Sequence, residues 1–500
     1  MSKNHKKQKP RRGAAGDAFG RAQSTPAGTA FGRTVAPGPS ELSDEELARQ
    51  ARHEVKVVFG ESALALQVDD LRRFDDYTAW LTARCDHPVT RAFVTTEMQQ
   101  TLDSELRRAW EEGWQPADVH RMAVRRSTKT VAAFLLRLMH HQLRSSARDT
   151  VHPSWHAQLA EMRDGSAPTT DPITGARADG MSWLTLVDTA ARALYVLRIL
   201  PPIESIGPRP GEWTRPVDEA ESDVDERILN RVRMLLAKAE STPYEAEAET
   251  FTAGAESLIA RHRISEAMLA ASRTDQPKDG TAAIRIGVDN PYEQPKVLLL
   301  VKVAEANSCQ VVWASAFGFA TVVGFPSDLA GVELLYTSLL LQATNAMTAT
   351  GKRSVEGAHK RSRSFRSSFL GSFAQRIGER LQEAVDVEER AAAAEFAGST
   401  PGARLPALIE REQDVADATT RLFPEAVHTR TRMSYGPEGW RHGRQAADQA
   451  DMHARTSGLA DYMAEDEQDA IRLSHWTPDA PHCRAPPTVA RLLVLDRPVR

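Results

Sequence analysis

The stretch TKTVAAFLLRLMHHQLRSS, residues 128–146, carries the clearest structural signal in the chain. Its apolar residues recur at intervals of three and four, so at 100° per residue they fall on one broad helical face. That face consists of Val131, Phe134, Leu135, Leu138 and Met139. The spacing predicts an amphipathic helix whose apolar side packs against a core.

The same helical spacing extends outward over residues 42–162, where runs of β-branched residues are few. We therefore expect four or five helices in that region. Residues 165–180 and 201–213 are crowded with Gly, Pro and Asp, which end regular structure. A chain of 500 residues has room for roughly two to four domains. These observations predict a helical domain at residues 41–200 and a linker at residues 201–224.

The polar face of the 128–146 helix is strongly basic. Residues 121–148 contain seven Arg or Lys and no Asp or Glu. Arg137, Arg144 and Arg148 fall within about 40° of one another at 100° per residue. One interpretation is a solvated face whose acidic partners come from another helix. The other is a surface that binds a polyanion such as nucleic acid.

The two ends of the chain differ from its middle in composition. Residues 1–40 contain eight Lys or Arg against Asp17 alone, a balance of +7, so a total charge of −4 leaves −11 for the rest. A segment rich in Gly, Ala, Pro and Ser buries too little apolar surface to offset the conformational entropy lost on ordering. We predict a disordered basic tail at residues 1–40 and a polar, loosely ordered tail at residues 451–500.

Composition also limits the compartment. No run approaches the roughly 18–20 apolar residues of a membrane helix, so we expect no membrane partner. The start, MSKNHKKQKPRR, has no apolar stretch behind its charges and is not typical of a secretory signal. Three cysteines, Cys85, Cys309 and Cys483, are too few to crosslink a chain of this length. The sequence therefore favours a reducing cytoplasm.

Residues 225–264 read DERILNRVRMLLAKAESTPYEAEAETFTAGAESLIARHRI. Ser241 and Thr242 end a first helix, and Thr242 with Glu245 forms a capping box that starts a second. Pro243 takes the first helical position, where its missing donor costs nothing. This pattern predicts an antiparallel two-helix hairpin within residues 225–270, and His262 is expected to act as a helix-end group.

Several parts of this segment resemble a known family. LLAKA at residues 235–239 and LIARHRI at residues 258–264 resemble the bacterial domain of unknown function (DUF) 2786. Residues 325–347 and 364–381 resemble the domain that commonly follows that hairpin. The resemblance covers about residues 225–451, and it implies a protein family without an activity.

The region that follows mixes strand and helix patterns. We predict strands at residues 283–288, 309–313, 321–324 and 405–410, the middle two joined as a hairpin, and helices at residues 329–347, 365–385 and 414–422. Phe365, Phe369 and Phe373, spaced every four residues, are expected in the core. The fold class predicted for the whole chain is mainly α, with an α+β carboxy-terminal domain at residues 280–450.

Catalytic signatures are missing from the sequence. Gly351-Lys352-Arg353-Ser354 lacks the glycine that a phosphate loop needs five residues earlier, because position 346 is Ala346. There is no His-Glu-x-x-His pair, no Gly-x-Ser-x-Gly elbow and no cysteine pair at metal spacing. We therefore expect no metal and no cofactor, while the sequence leaves open whether the protein is an enzyme.

Two further segments of the sequence are basic. Residues 352–366 hold six Lys or Arg against Glu356, and residues 428–444 interleave arginines with Tyr435, Trp440 and glycines. Guanidinium groups suit phosphate oxygens, and aromatic rings stack on bases. The residues predicted to contact DNA or RNA are Arg137, Arg144, Arg148, Lys360, Arg361, Arg363, Arg441 and Arg444.

The leading functional hypothesis is a cytoplasmic protein that binds nucleic acid or assists a nucleic-acid process. A second hypothesis is a hydrolase-type enzyme with its site near residues 428–444. A third is a non-catalytic scaffold that oligomerises through the hairpin.

Overall fold

A computed structural model describes residues 44–162, 170–214, 230–231, 234, 258–264, 266–267, 280–352, 362–396, 406–430, 436–448 and 491–494. The chain divides into two units, residues 1–50 and 51–500. Helix α1 begins in the first unit, and the features below belong to the second. The predicted basic tail, the first helix and turn of the predicted hairpin, and residues 451–490 lie outside the described residues, apart from 230–231 and 234.

The described part of residues 44–198 is mainly helical. The helices are α1 (Asp44–Gln67), α2 (Leu71–Ala83), α3 (Pro88–Glu111), α4 (Pro116–Arg126), α5 (Lys129–Ser145), α6 (Pro153–Glu161), α7 (Pro172–Ala178) and α8 (Trp183–Arg198). Six of them begin before residue 162, more than the four or five expected. The extra boundary comes from Asp69, in the left-handed region at φ 58°, and Asp70, which caps α2 at Arg73.

Local sequence explains where several of these helices begin. Proline occupies the first position of α3, α4, α6 and α7, where no backbone donor is needed. Helix α5 begins after Thr128, whose side chain accepts a hydrogen bond from the Val131 amide at 3.3 Å. Its five predicted core residues, Val131 to Met139, are all buried. The signal in residues 128–146 is thus confirmed.

The carboxy-terminal region is a mixed α and β structure. Its helices are α9 (Glu293–Ala306), α10 (Pro326–Lys352), α11 (Arg363–Phe396), α12 (Pro406–Leu422) and α13 (Pro437–Asp448). Its strands are β1 (Ala282–Gly287), β2 (Gln310–Ala314), β3 (Phe319–Gly324), β4 (Val427–Arg430) and β5 (Arg491–Val494). The fold class, mainly α with an α+β region, is confirmed. None of the described helices is long and apolar enough to cross a membrane.

The strands form one sheet in the order β1-β3-β2-β5-β4. Strand β3 pairs antiparallel with β1 and β2, so the predicted hairpin around ASAFGFA is confirmed. Strand β5 pairs parallel with β2 and antiparallel with β4. The residues of β5 lie within the segment predicted to be a loosely ordered tail.

Two sequence interpretations of this region need correction. The strand predicted at residues 405–410 is wrong, because residues from Pro406 onward form helix α12. Leu408, Arg411, Val415 and Ala418 are buried at intervals of three and four, which is the helical period. The sequence analysis also missed α9, whose run from Val297 to Val301 is buried on all sides and shows no amphipathic period.

The helical region and the sheet share one core. Ala314, Phe317 and Phe319 of the β2–β3 hairpin are buried in the same cluster as residues of α1 to α8. Trp114 packs edge-on against Phe317 and Phe319, with ring centroids 5.4 and 6.3 Å apart. These contacts hold the sheet against the loop between α3 and α4.

A buried ion pair reinforces this junction. Arg285 of β1 lies 2.6 Å from Asp118 of α4, and the two side chains are 4% and 5% exposed. The same guanidinium donates to the carbonyl oxygens of Gly113 at 2.9 Å and Glu204 at 2.6 Å. A charged side chain this deeply buried is stabilised only when its partners are all in place.

Candidate nucleic-acid interface

Arg121 and Arg125 of α4 pair with acids that follow strand β1. Arg121 pairs with Asp289, and Arg125 lies 3.1 Å from Glu293. Gly287 leaves the room for this crossing, since a Cβ atom there would overlap with the Arg121 guanidinium. Two arginines of the basic stretch 121–148, Arg121 and Arg125, are therefore paired with acids 168 residues away.

The predicted contact face of α5 is also engaged within the protein. Arg137 pairs with Asp179, which ends α7. Arg144 donates to the carbonyl oxygen of Thr170 at 3.2 Å. Arg148 begins a short 3-10 turn, Arg148–Thr150, and its side chain is outside the described set. The structure thus gives two of these three arginines intramolecular partners.

Helices α11 and α13 pack side by side and run in the same direction. The amide of Gly436 donates to Ser368 Oγ at 2.7 Å, and further along Arg380 donates to the carbonyl of Ala447 at 2.6 Å. Gly439 and Gly443 form the contact: an added Cβ atom at Gly443 would overlap with the Phe369 carbonyl oxygen. The parallel packing places the amino-terminal ends of both helices at one end of the pair.

Three of the remaining predicted contact residues belong to this helix pair. Arg363 is the first residue of α11, Arg441 lies in the second turn of α13, and both are exposed. Arg441 lies on the face of α13 opposite the glycine contact. Arg444 is held by Glu379 at 2.8 Å. Lys360 and Arg361 fall outside the described residues.

Other members of the 428–444 cluster have packing or strand roles. The rings of His442 and Phe365 lie 6.1 Å apart, and Trp440 is half-buried with its carbonyl accepting a hydrogen bond from Ser372 Oγ. His428 belongs to β4. Tyr435 falls outside the described residues. The hydrolase hypothesis for residues 428–444 stays a prediction.

A second group of charges surrounds the carboxy-terminal part of the predicted hairpin, residues 258–267. Glu266 lies 3.3 Å from His262 and 3.3 Å from Arg411, and it accepts a hydrogen bond from Ser327 at 2.7 Å. Arg411 also reaches Asp328 at 3.0 Å. His262, expected to act as a helix-end group, also pairs with a side chain four residues along the chain.

Burial and charge act in opposite directions on the two carboxyls of this group. Burial alone raises the pKa of Glu266, yet hydrogen bonds from His262 and Ser327 and the charge of Arg411 hold it below its usual range. Burial dominates at Asp328 and raises its pKa despite the nearby guanidinium groups of Arg411 and Arg263. The cluster is a structural ion network whose charges compensate one another.

Arg263, from the family-like motif, ties the same segment to α9. It is 3% exposed and donates to the Ala306 carbonyl oxygen at 2.9 Å. Its guanidinium also lies 3.6 Å from Glu389 of α11. The described part of the motif therefore joins its segment to the α+β region.

Comparison with known proteins identifies this segment. Residues 227–266 match the family model described as "Protein of unknown function (DUF2786)". The resemblance predicted for the hairpin is therefore confirmed over these residues. The resemblance of residues 325–381 to the domain that commonly follows stays a prediction. No curated protein and no solved structure matches the chain.

Sequence reasoning missed the partners of the arginines for one reason. Asp118, Asp179, Asp289 and Glu293 are ordinary acids in the sequence, and folding alone brings them to the arginines. One signal was available: the small residues Gly439, Gly443 and Ala447 recur every four positions, which is typical of a close helix contact.

Proposed function

We propose that the protein binds nucleic acid in the bacterial cytoplasm, using the amino-terminal ends of α11 and α13 and the basic segments that lead into them. One observation carries this proposal: the parallel packing of α11 against α13 brings those two helix ends together. In the sequence, residues 353–361 lead directly into α11 and residues 431–435 lead directly into α13. Residues 362–366 and 436–444, which are described parts of the two basic segments, therefore lie in the same helix pair.

The electrostatics of this end favour a polyanion. Each helix carries partial positive charge at its amino terminus, where the first backbone amides have no helical partner. Because α11 and α13 run parallel, the two positive ends lie side by side, and phosphate groups bind at such ends. Arg363 and Arg441 add full charges at exposed positions, with Glu438 the acid in the first turn of α13.

The α5 face makes a useful contrast within the same protein. Its Arg137 is paired with Asp179 and its Arg144 is bonded to the Thr170 carbonyl. A phosphate that approached Arg137 would first have to displace that acid. We therefore assign nucleic-acid contact to the α11–α13 end and an internal role to Arg137.

The test compares two double variants of the full chain. Affinity for a 20-nucleotide single-stranded DNA, the matching RNA and the duplex is measured by fluorescence anisotropy at several salt concentrations. Each lost phosphate contact should flatten the slope of log affinity against log salt by about 0.9 on duplex and about 0.7 on single strands. The double variant Arg363→Glu with Arg441→Glu should therefore flatten it by roughly two contacts.

The control is Arg137→Glu with Arg144→Glu, which changes charge by the same amount and leaves the basic tail equally present. It should keep the wild-type slope. Equal slopes in both double variants, or no salt-dependent binding of the wild type at about 50 mM salt, would refute the proposal and return attention to the enzyme and scaffold hypotheses.

A further inference from the structure

A cavity of about 490 Å³ lies between α9, β2, α12 and the strands β4 and β5. This volume is within the range of roughly 300–1,000 Å³ that is usual for small-molecule sites. Much of its wall is apolar, with Val301, Val311, Phe423 and Leu493 among the residues that form it. It shares no residue with the helix ends proposed to bind nucleic acid, so it needs a separate explanation.

Polar groups in the wall offer both kinds of hydrogen bond. The hydroxyls of Thr419 and Thr420 donate to the carbonyl oxygens of Val415 and Ala416 at 2.8 and 2.9 Å. Their oxygens therefore keep lone pairs with which to accept a hydrogen bond. The Gln310 amide and the His428 ring add donors. A ligand with an apolar face and a mixed donor and acceptor edge fits this wall.

The described wall of the cavity carries no Lys or Arg. Glu305 carries the acidic charge of this lining, and Lys302 neutralises it at 2.7 Å. A phosphate or carboxylate placed here would lose hydration without gaining an ion pair with a Lys or Arg of the described lining.

The thiol of Cys309 forms part of the wall and is neutral. Its Sγ lies 3.4 Å from the Asn307 carbonyl oxygen, and burial raises the pKa of the thiol. A neutral thiol is a poor nucleophile, so the cavity is suited to binding and not to covalent chemistry.

We infer that this cavity binds an uncharged heteroaromatic molecule of nucleoside size, with its ring on the apolar wall and its hydrogen-bonding edge toward Thr419 and Gln310. Four observations favour this class of ligand: the volume of the cavity, its apolar wall, its mixed donors and acceptors, and a described lining without Lys or Arg. The inference does not depend on the nucleic-acid proposal, since a phosphate backbone is what the cavity rejects.

The experiment uses the full chain and matched probes. Adenosine, guanosine, cytidine and uridine, each beside its 5′-monophosphate, are titrated by isothermal calorimetry and by ligand-observed NMR. At least one nucleoside should bind saturably, and its monophosphate should bind about tenfold more weakly or worse, a difference of roughly 1.4 kcal/mol. If no nucleoside binds, or if the monophosphate binds as well, the inference is wrong.

Variants locate the binding. Ala416→Leu places a larger side chain in the cavity wall and should weaken nucleoside binding by about tenfold or more. Gln413→Leu places the same side chain at an exposed position of the same helix, outside the cavity lining, and should leave binding unchanged. Glu305→Lys lies at a half-exposed carboxylate and should improve monophosphate binding relative to the nucleoside. Wild-type behaviour in both Ala416→Leu and Glu305→Lys would overturn the assignment to this cavity.

Discussion

The arginines around α4 and those at the ends of α11 and α13 look alike in the sequence, yet the structure treats them differently. Around α4, Arg121 and Arg125 reach acids that follow β1, and Arg285 of β1 reaches back to Asp118. At the α11–α13 end, Arg363 and Arg441 are exposed. The contrast teaches that the role of a basic stretch depends on which acids the fold brings to its arginines.

The largest effect is expected from breaking the buried pair at the α4 junction. Arg285→Met should lower the free energy of unfolding by about 3–5 kcal/mol, because Asp118 would be left buried without its cation. The carbonyl groups of Gly113 and Glu204 would lose their donor as well. Urea denaturation followed by circular dichroism measures the change.

The double variant Arg285→Met with Asp118→Asn serves as the control for that experiment. It removes the uncompensated charge and should recover part of the loss. A loss below about 1 kcal/mol in Arg285→Met would mean that the pair of Arg285 and Asp118 contributes no more than an exposed ion pair. The proposed difference between the α4 junction and the α11–α13 end would then be wrong.

A smaller effect is expected at the contact between α11 and α13. Gly443→Ala should destabilise the protein by about 1–3 kcal/mol, because the new Cβ atom meets the rigid Phe369 carbonyl. The same variant should weaken nucleic-acid binding, since it forces the two helix ends apart.

Gly331→Ala is the matched control, a glycine of α10 whose Cβ atom would lie 3.7 Å from Ile259, an ordinary van der Waals contact. It should cost little and leave nucleic-acid binding intact, with a helix-propensity gain of up to about 1 kcal/mol. Equal losses of stability in the two variants would contradict the claim that α11 and α13 require a glycine at position 443 for their close contact.

The smallest expected effect concerns pH at α4. Burial, assisted by the charge of Arg121, lowers the pKa of His120 below its ordinary value. The folded state therefore binds fewer protons than the unfolded state. The stability contributed by neutral His120 is fully present above about pH 6.5 and is lost as the pH drops through the folded pKa.

The corresponding measurement compares urea denaturation of the wild type and His120→Gln between pH 7.5 and 5.5. The variant should lose less stability over that interval. An identical pH dependence in both proteins would show that His120 does not contribute to the loss of stability at low pH.

Local patterns in the sequence were enough to predict much of the fold. The helical face from Val131 to Met139, the β2–β3 hairpin and the phenylalanine row of α11 all depend on short-range spacing, and each is confirmed. Strand 405–410 failed because a short apolar run has no period of its own to separate strand from helix. Helix α9 was missed for the related reason that burial on all sides removes the amphipathic signal.

The candidate site was less predictable because it depends on tertiary contacts. Spacing placed Arg137 and Arg144 on one face, but nothing local indicated that Asp179 would lie beside Arg137. The meeting of the α11 and α13 ends also required a contact between residues about 70 positions apart. The lining of the cavity comes from five separate elements, so its chemistry appears only in the folded chain.

The position of β5 inside the sheet has a consequence for the order of events during synthesis. Among the described strands, β4 pairs with β5 alone, and residues 431–490 separate these two strands along the chain. A ribosome releases the chain from its amino terminus, so β1, β2 and β3 are able to pair while β4 still waits for residues 491–494. Long-range pairing of this kind is slow, and the β2 edge stays open to other strands in the meantime. Translation speed over residues 431–490 therefore sets how long the half-built sheet is exposed to misassociation.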